Sequence, residues 1–279
     1  MLMKNKQEHK KEKIISNLRA IVGDTNVLTG DNVKSRMIHV WYNKPIDALC
    51  IVRPSTTQQV SQILALCDNE QQQITPHGGL TGLVQGCNVT SSDVVLSLEK
   101  MKKIIELDPI GRTMTVEAGV PLQTLQEEAE KHGLMFPLDL GARGSCQIGG
   151  NVSTNAGGNR VIRFGMTREN ILGLEAVLPN GTVITSLNTM IKNNAGYDLK
   201  QLFIGSEGTL GIVTKIVVRL REAPKFMHTG IAAFNDFSQL SAFLRYIDRE
   251  LGGALSAFEV MWNDYYSLVT SAPATNKSQ

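Results

Sequence analysis

The chain has 279 residues, of which 42% are hydrophobic and 19% charged, and its formal net charge is +2. Such a chain can bury a proper core, as one large domain or two ordinary ones. The near balance of charge, an aromatic content of 5% and the lack of a basic face beyond the N-terminus exclude nucleic acid as the main partner.

The opening stretch MLMKNKQEHKKEKIISNL is basic but holds no uninterrupted apolar run, so it does not read as a secretory signal. Glu8 and Glu12 interrupt the basic residues and Arg is scarce, which argues against a transit peptide and for a cytoplasmic chain. No stretch approaches the ~18 apolar residues of a membrane-spanning helix. Ile14, Ile15, Leu18, Ile21 and Val22 recur at helical spacing and predict an amphipathic helix. Residues 23–47 are mixed and turn-rich. Residues 48–52 read as a strand, after which Ser55 or Thr56 can cap a helix with Val60, Ile63, Leu64 and Cys67 on one face. Strands are expected at residues 74–75, 94–98, 104–107 and 113–118, with a turn at 108–111 between the last two. Pro121 suits the first turn of a helix that turns Leu122, Leu125 and Ala129 inward. Residues 171–178 and 182–185 flank Asn180-Gly181, the strongest hairpin signal in the chain. A short helix at 198–203 and a long strand at 210–220 follow. From Ala223 the pattern restarts, with a strand at 229–234, a helix at 236–249 and a strand at 255–261. The tail SAPATNKSQ is polar and is expected to fray. Strands and helices mix without the steady alternation of a doubly wound sheet, which predicts an α+β fold with two lobes and a third beginning.

Cys50, Cys67, Cys87 and Cys146 form no CxxC pair, and the chain is too long to need disulfide stapling. Cys50 and Cys67 lie in apolar runs and are expected to be buried thiols. Neither Cys87 nor Cys146 has a charged neighbour in sequence that would make it a reactive thiolate.

Two glycine-rich segments stand out. In PHGGLTGLVQG, residues 76–86, Gly78, Gly79 and Gly82 allow consecutive backbone N–H groups to face one concavity, an anion nest. Thr81 adds a hydroxyl donor and His77 a positive edge. A tight structural turn is the plainer alternative. The second segment, GARGSCQIGGNVSTNAGGNRVIRFG at residues 141–165, holds seven glycines between strand-like flanks. It reads as a long structured loop in which backbone approaches a ligand closely, and not as a flexible tether. Ser145, Thr154 and Asn155 supply groups that can bond ring or phosphate oxygens. Asp139 in PLDLG offers a carboxylate to the same place or caps the loop. Neither a Walker A sequence nor GxGxxG is present, so the phosphate-bearing ligand is held by another architecture.

PHGGLTGLVQG, the run from PLDLGARGSC through NAGGNRVIRFGMTRENILGLEAVLPNGTVI, and GYDLKQLFIGSEGTLGIVT resemble the FAD-binding domain of the vanillyl-alcohol oxidase superfamily, the PCMH-type fold. Within it they are most similar to D-2-hydroxyacid dehydrogenases, in particular those acting on D-2-hydroxyglutarate. The resemblance runs over residues 44–223 and continues through LSAFEVM at 255–261. It implies a lead-in at 1–43, a two-subdomain FAD-binding domain at 44–223, and at 224–279 the start of a ferredoxin-like substrate (cap) domain. Residue by residue, it implies that Pro76, His77, Gly78, Gly79, Leu80, Thr81 and Gly82 form the pyrophosphate-binding loop. Pro137, Leu138, Asp139 and Gly141, then Ser145, Gly149, Gly150, Asn151, Thr154, Asn155, Ala156, Gly157 and Gly158, would wrap the isoalloxazine, ribityl chain and pyrophosphate. Arg163, Gly165, Glu207, Gly208, Gly211 and Ile212 match further flavin-contacting positions. Thr81 stands where some members carry a His that tethers FAD covalently, so non-covalent FAD is expected.

The activity so implied is oxidation of a D-2-hydroxyacid, D-2-hydroxyglutarate first, to the 2-oxoacid, with hydride passing to flavin N5. Alternatives are a D-lactate or glycolate dehydrogenase-type flavoprotein subunit, and a non-catalytic FAD-binding or electron-transfer module. In the family the catalytic groups, and a divalent metal such as Zn, belong to the C-terminal domain. His9, His39, His77, His132 and His228 form no HxH or HxxxH pair here, so no metal site and no catalytic residue is assigned. The resemblance admits a homodimer for the longer enzyme and leaves the electron acceptor open.

Overall fold

The structure, a computed structural model, describes residues 2–39 and 44–271. The polar tail after Ser271 lies outside the described residues. The first lobe opens with helix α1 (Leu2–Val22), which buries Ile14, Leu18 and Val22, and strand β1 (Val27–Leu28). A short helix α2 (Asp31–Lys34) leads to β2 (Cys50–Val52), helix α3 (Thr57–Asn69), β3 (Ile74–His77) and β4 (Val94–Ser97). Thr56 caps α3 by accepting the Gln59 N–H, and Val60, Ile63, Leu64 and Cys67 are the residues α3 buries. These strands form one sheet in the order β1-β2-β4-β3, with β4 parallel to both β2 and β3. Side chains alternate across it. Cys50, Val52, Val94 and Leu96 face the main core, while Ile51 and Val95 join a smaller cluster with Val33, Ile38 and Ile46.

The second lobe is a five-stranded antiparallel sheet, β5 (Ile104–Asp108), β6 (Thr113–Glu117), β8 (Ile171–Val177), β9 (Val183–Ser186) and β10 (Ile212–Arg219), in the order β5-β6-β10-β8-β9. Between its second and third strands in sequence come helix α4 (Leu122–Glu130) and β7 (Leu134–Met135), then α5 (Ile148–Ser153) and α6 (Val161–Phe164). The 141–165 run is therefore two short helices joined by loops, and not one long loop. The β8–β9 hairpin turns at Gly181, whose φ is 85°. After the short helix α7 (Lys200–Phe203) and β10, strand β11 (Arg221–Glu222) pairs with β7.

The lobes share one core. Phe136, Leu122, Leu125, Ile148, Leu174 and Ile216 belong to the same buried cluster as Ile14 and Leu96. Thr57 of α3 donates to the Glu175 carboxylate of β8, and Ser61 donates to Gly181 O, tying the first lobe to the second sheet.

Helix α8 (Phe237–Leu251) starts at its Asp236 cap, as expected, and α9 (Asn263–Thr270) follows it. The strands expected at 229–234 and 255–261 do not form. A strand exists only in a hydrogen-bonded ladder, and those residues have no partner strand among the described ones. No described residue after Leu220 is buried, and Phe226, Ile231 and Trp262 are exposed.

Candidate cofactor site

Strand β3 ends at His77, and the loop of residues 76–82 leaves from there. Its position is at the carboxyl end of the parallel β3–β4 pair, where open sheets place their ligands. His77 is 3% exposed, and its Nε2 stands 2.8 Å from Cys87 O. A carbonyl only accepts, so Nε2 carries the hydrogen. Burial pushes the imidazole pKa down, and the bond to Cys87 O offsets this only in part. His77 is thus neither the positive edge of an anion nest nor a surface histidine; it is a neutral clamp on the loop's far end. His39, which sequence reasoning passed over, also contacts the loop, with Nε2 against Gly82 O.

The sign of the pH effect follows. The unfolded imidazole has its ordinary value near 6.5, and the folded one lies lower. Below 6.5 the unfolded chain binds the extra proton, so stability falls as pH drops toward the native value, and above 6.5 this contribution is constant. Urea unfolding at pH 7 and pH 5 should show a loss on acidification that His77→Gln reduces. Gln keeps a donor for Cys87 O and cannot titrate.

The two glycine-rich segments converge. A Cβ on Gly79 would overlap Ser145 O and stand 2.8 Å from Cys146 Cα, so the backbones of the segments touch there. Gly78 faces Gln147 and comes within 3.9 Å of Gly150 Cα by the same construction. A third segment closes the group. The Gly205 and Glu207 N–H groups donate to Val152 O (3.1 Å) and Ser153 O (2.8 Å), and Gly208 packs on the Pro76 ring. Arg168 holds this segment by donating to Gln201 O and Ile204 O, while its own N–H donates to Asn155 Oδ1. The stretch at 137–141 joins through Gly158, which lies on the Asp139 backbone, and through the Asp139–Arg160 ion pair at 3.1 Å.

Several of the residues expected at the cofactor also pack within the chain itself. Gly149 packs on Ala118, Gly211 on Val177 and Phe203, and Ile212 is buried in the sheet. Gly165 ends α6 with φ 70°. Thr154 donates its hydroxyl to Gly150 O. Leu138 is buried in the core and Pro137 beside it. Arg163 faces a different cavity from the loops. Glu207 stays exposed with φ 52°. Of the glycines expected at the cofactor, three remain unexplained by packing. Gly82, Gly141 and Gly150 have nothing within 4 Å of a built Cβ, and none adopts positive φ. Gly150 is the clearest, since it sits inside α5, where glycine is the costliest residue after proline.

Around that open space the polar groups are incompletely met. Gln147 Oε1 and Asn151 Oδ1 are buried without a hydrogen-bond partner, and Ser145 is exposed. Buried acceptors of this kind call for hydroxyl or N–H donors. A flavin dinucleotide carries both, on its ribityl chain and its ring, beside phosphates that suit the loop's N–H groups. Beneath the same loop, a cavity of about 240 Å³ is lined by Arg36, His77, Gly78, Leu80, Ser97 and Glu99. Burial works to raise the Glu99 carboxyl, but Arg36 (2.6 and 3.0 Å) and Arg53 (3.2 Å) outweigh it and hold the carboxyl below its ordinary range. The thiols of Cys50 and Cys67 are pushed up to about 12 by burial, which leaves them inert.

Residues 48–186 match the family described as an FAD binding domain. This part of the chain is an FAD binding domain. The α+β fold agrees: a solved structure of alkyldihydroxyacetonephosphate synthase superposes with a TM-score of 0.71 at 20% identity, over 86% of this chain and 46% of that one. A probable mitochondrial D-2-hydroxyglutarate dehydrogenase of Oryza sativa subsp. indica is 43% identical over 248 residues, 88% of this chain and 44% of the relative. The mitochondrial D-2-hydroxyglutarate dehydrogenase of Arabidopsis thaliana is 41% identical over 258 residues, 92% of this chain and 46% of the relative. The chain therefore spans less than half the length of these relatives. Both are mitochondrial, which overturns the cytoplasmic expectation. That expectation rested on the makeup of the first residues given, which does not decide an address. Among the described residues no helix is long and apolar enough to cross a membrane, and no group of three or more His, Cys, Asp or Glu could hold a metal.

The sequence alone did not single out His39, Gln147, Arg160 or Arg168. Of these only Gln147 had a signal, as the amide next to the Ile148-Gly149-Gly150 turn. The others act through contacts between segments far apart in the chain.

Proposed function

We propose that this chain is the FAD-binding part of an oxidoreductase that converts a D-2-hydroxyacid, D-2-hydroxyglutarate first, into the 2-oxoacid. The observation that supports the reading is the meeting of the 76–82 and 145–158 segments beside the unpartnered Gln147 Oε1 and Asn151 Oδ1, in a chain over 40% identical to D-2-hydroxyglutarate dehydrogenases. When bound, FAD supplies the hydride acceptor. The chain's own residues orient it: the N–H groups of 78–82 for the pyrophosphate, with Gln147 and Asn151 offering acceptors to donors on the ligand. Gly141 and Gly150 leave room for it.

FAD is held without a covalent bond, because Thr81 offers no imidazole where a tethering His would stand. Acid precipitation of the flavin-loaded protein should leave the yellow colour in the supernatant; colour on the pellet would refute this. The reading as a whole is tested on the full reading frame. Flavin bleaching under anaerobic conditions is followed with D-2-hydroxyglutarate, D-lactate and glycolate, and fastest reduction by D-2-hydroxyglutarate is expected. Reduction by none of the three would remove the proposal.

A further inference from the structure

Arg168 lies outside both glycine-rich segments, in the short turn Thr167–Asn170 between α6 and β8. Its side chain reaches a distant part of the chain. Nη1 donates to Gln201 O at 2.9 Å and to Gln201 Oε1 at 2.6 Å, and Nη2 donates to Ile204 O. The two carbonyls lie at the end of α7, which has four residues and cannot satisfy its own last turn. A cation placed there meets the carbonyls and matches the helix dipole. Gly205, with φ 86°, leaves room for it, since a Cβ at that position would stand 3.4 Å from Nη2. The main chain of Arg168 acts in the other direction, its N–H donating to Asn155 Oδ1 at 2.9 Å.

Each of the two places held in this way contains a strained residue. Asn155 has φ 47° and Glu207 has φ 52°, in the left-handed region that side chains rarely adopt. Such strain persists only where the surroundings over-determine it, and it gathers at functional sites. Around Glu207 the surroundings do so. The Gly205 and Glu207 N–H groups donate to Val152 O and Ser153 O, and Gly208 packs on the Pro76 ring. The 204–208 turn is therefore wedged between α5 and the first residue of the 76–82 loop, and Arg168 fastens its base to Asn155. We infer that Arg168 is a positioning residue for the cofactor: its guanidinium and its N–H hold the 155–158 and 204–208 backbone in the shape that receives FAD. The inference rests on the FAD-binding reading proposed above, to which it adds a residue acting through these two segments. A preformed site spares the cost of ordering backbone at the moment of binding, so loss of the brace weakens FAD more than it weakens the fold.

The test compares FAD affinity, read by flavin fluorescence titration, with thermal unfolding of the apo chain. Arg168→Met should weaken FAD about tenfold or more, the equivalent of losing hydrogen bonds to a charged group. Thr56→Ala, which removes the α3 cap, serves as the control for a purely structural loss. It should lower the apo melting temperature by about 3 °C and leave FAD affinity unchanged. Arg168→Lys keeps the charge but not the planar fork that spans two carbonyls, and should weaken FAD about fivefold. It carries the same comparison if Arg168→Met does not fold. Methylguanidinium added to Arg168→Ala should restore part of the FAD affinity, and methylammonium at the same concentration should not. FAD binding at parent strength in a folded Arg168 variant would overturn the role. So would an equal loss of affinity in Thr56→Ala, because affinity would then merely follow stability. A parent chain that binds no FAD removes the proposed cofactor site together with this inference, whereas a parent that binds FAD beside an Arg168 variant that binds it equally removes this inference alone.

Discussion

Gly79→Ala is expected to lower the unfolding free energy by about 3 kcal/mol, the upper end of ordinary overpacking, and to do so whether or not FAD is present. The added methyl would overlap Ser145 O and stand 2.8 Å from Cys146 Cα. Both are backbone, so no rotamer change relieves the clash. Cys146 O also accepts the Leu122 N–H at 3.0 Å, and Ile148 donates to Val120 O at 2.9 Å, which prevents the 145–148 stretch from retreating cheaply. Relief must come from parting the two segments, and that opens the space between Gly78 and Gly150. Urea unfolding of the apo chain measures the effect. An apo variant as stable as the parent would show that the segments do not meet as described.

Gly150→Leu should behave in the opposite way. No protein atom lies within 4 Å of a Cβ there, φ is not positive, and the residue sits in α5. Leucine improves helix propensity by about 0.8 kcal/mol, so the apo protein should be as stable as the parent or slightly more so. FAD affinity should fall by ~100-fold, because the side chain enters the space that the ligand needs, and about 3 kcal/mol of overpacking corresponds to two decades in Kd. Flavin fluorescence titration reads the affinity, and thermal unfolding of the apo form reads the fold. Undiminished FAD binding would place the cofactor elsewhere. The pair of substitutions separates glycines needed by the protein from glycines needed by its ligand, which sequence alone merges.

Much of the fold was legible because it is local. The Thr56 cap, the Val60–Ile63–Leu64–Cys67 face, the Asn180-Gly181 turn and the β10 strand are each written within about a dozen residues, where period and capping chemistry act directly. The two strands expected after Ala223 failed for a reason no window could contain. Their apolar residues have strand character, but a strand needs a neighbour, and none is present among the described residues. His77 shows the same limit at the site. Its place in the loop suggested a charge, whereas its burial beneath the loop, against Cys87 O, makes it neutral.

The residues by themselves determined that two glycine-dense segments exist, that they follow strands, and that no phosphate-loop lysine or metal-binding histidine pair accompanies them. These are matters of composition and spacing. Only the tertiary structure decided which glycines carry backbone crossings and which leave open space, and which imidazoles clamp the loop. Close approach, burial and charge balance are properties of pairs of segments, and chain order does not specify which distant segments will meet.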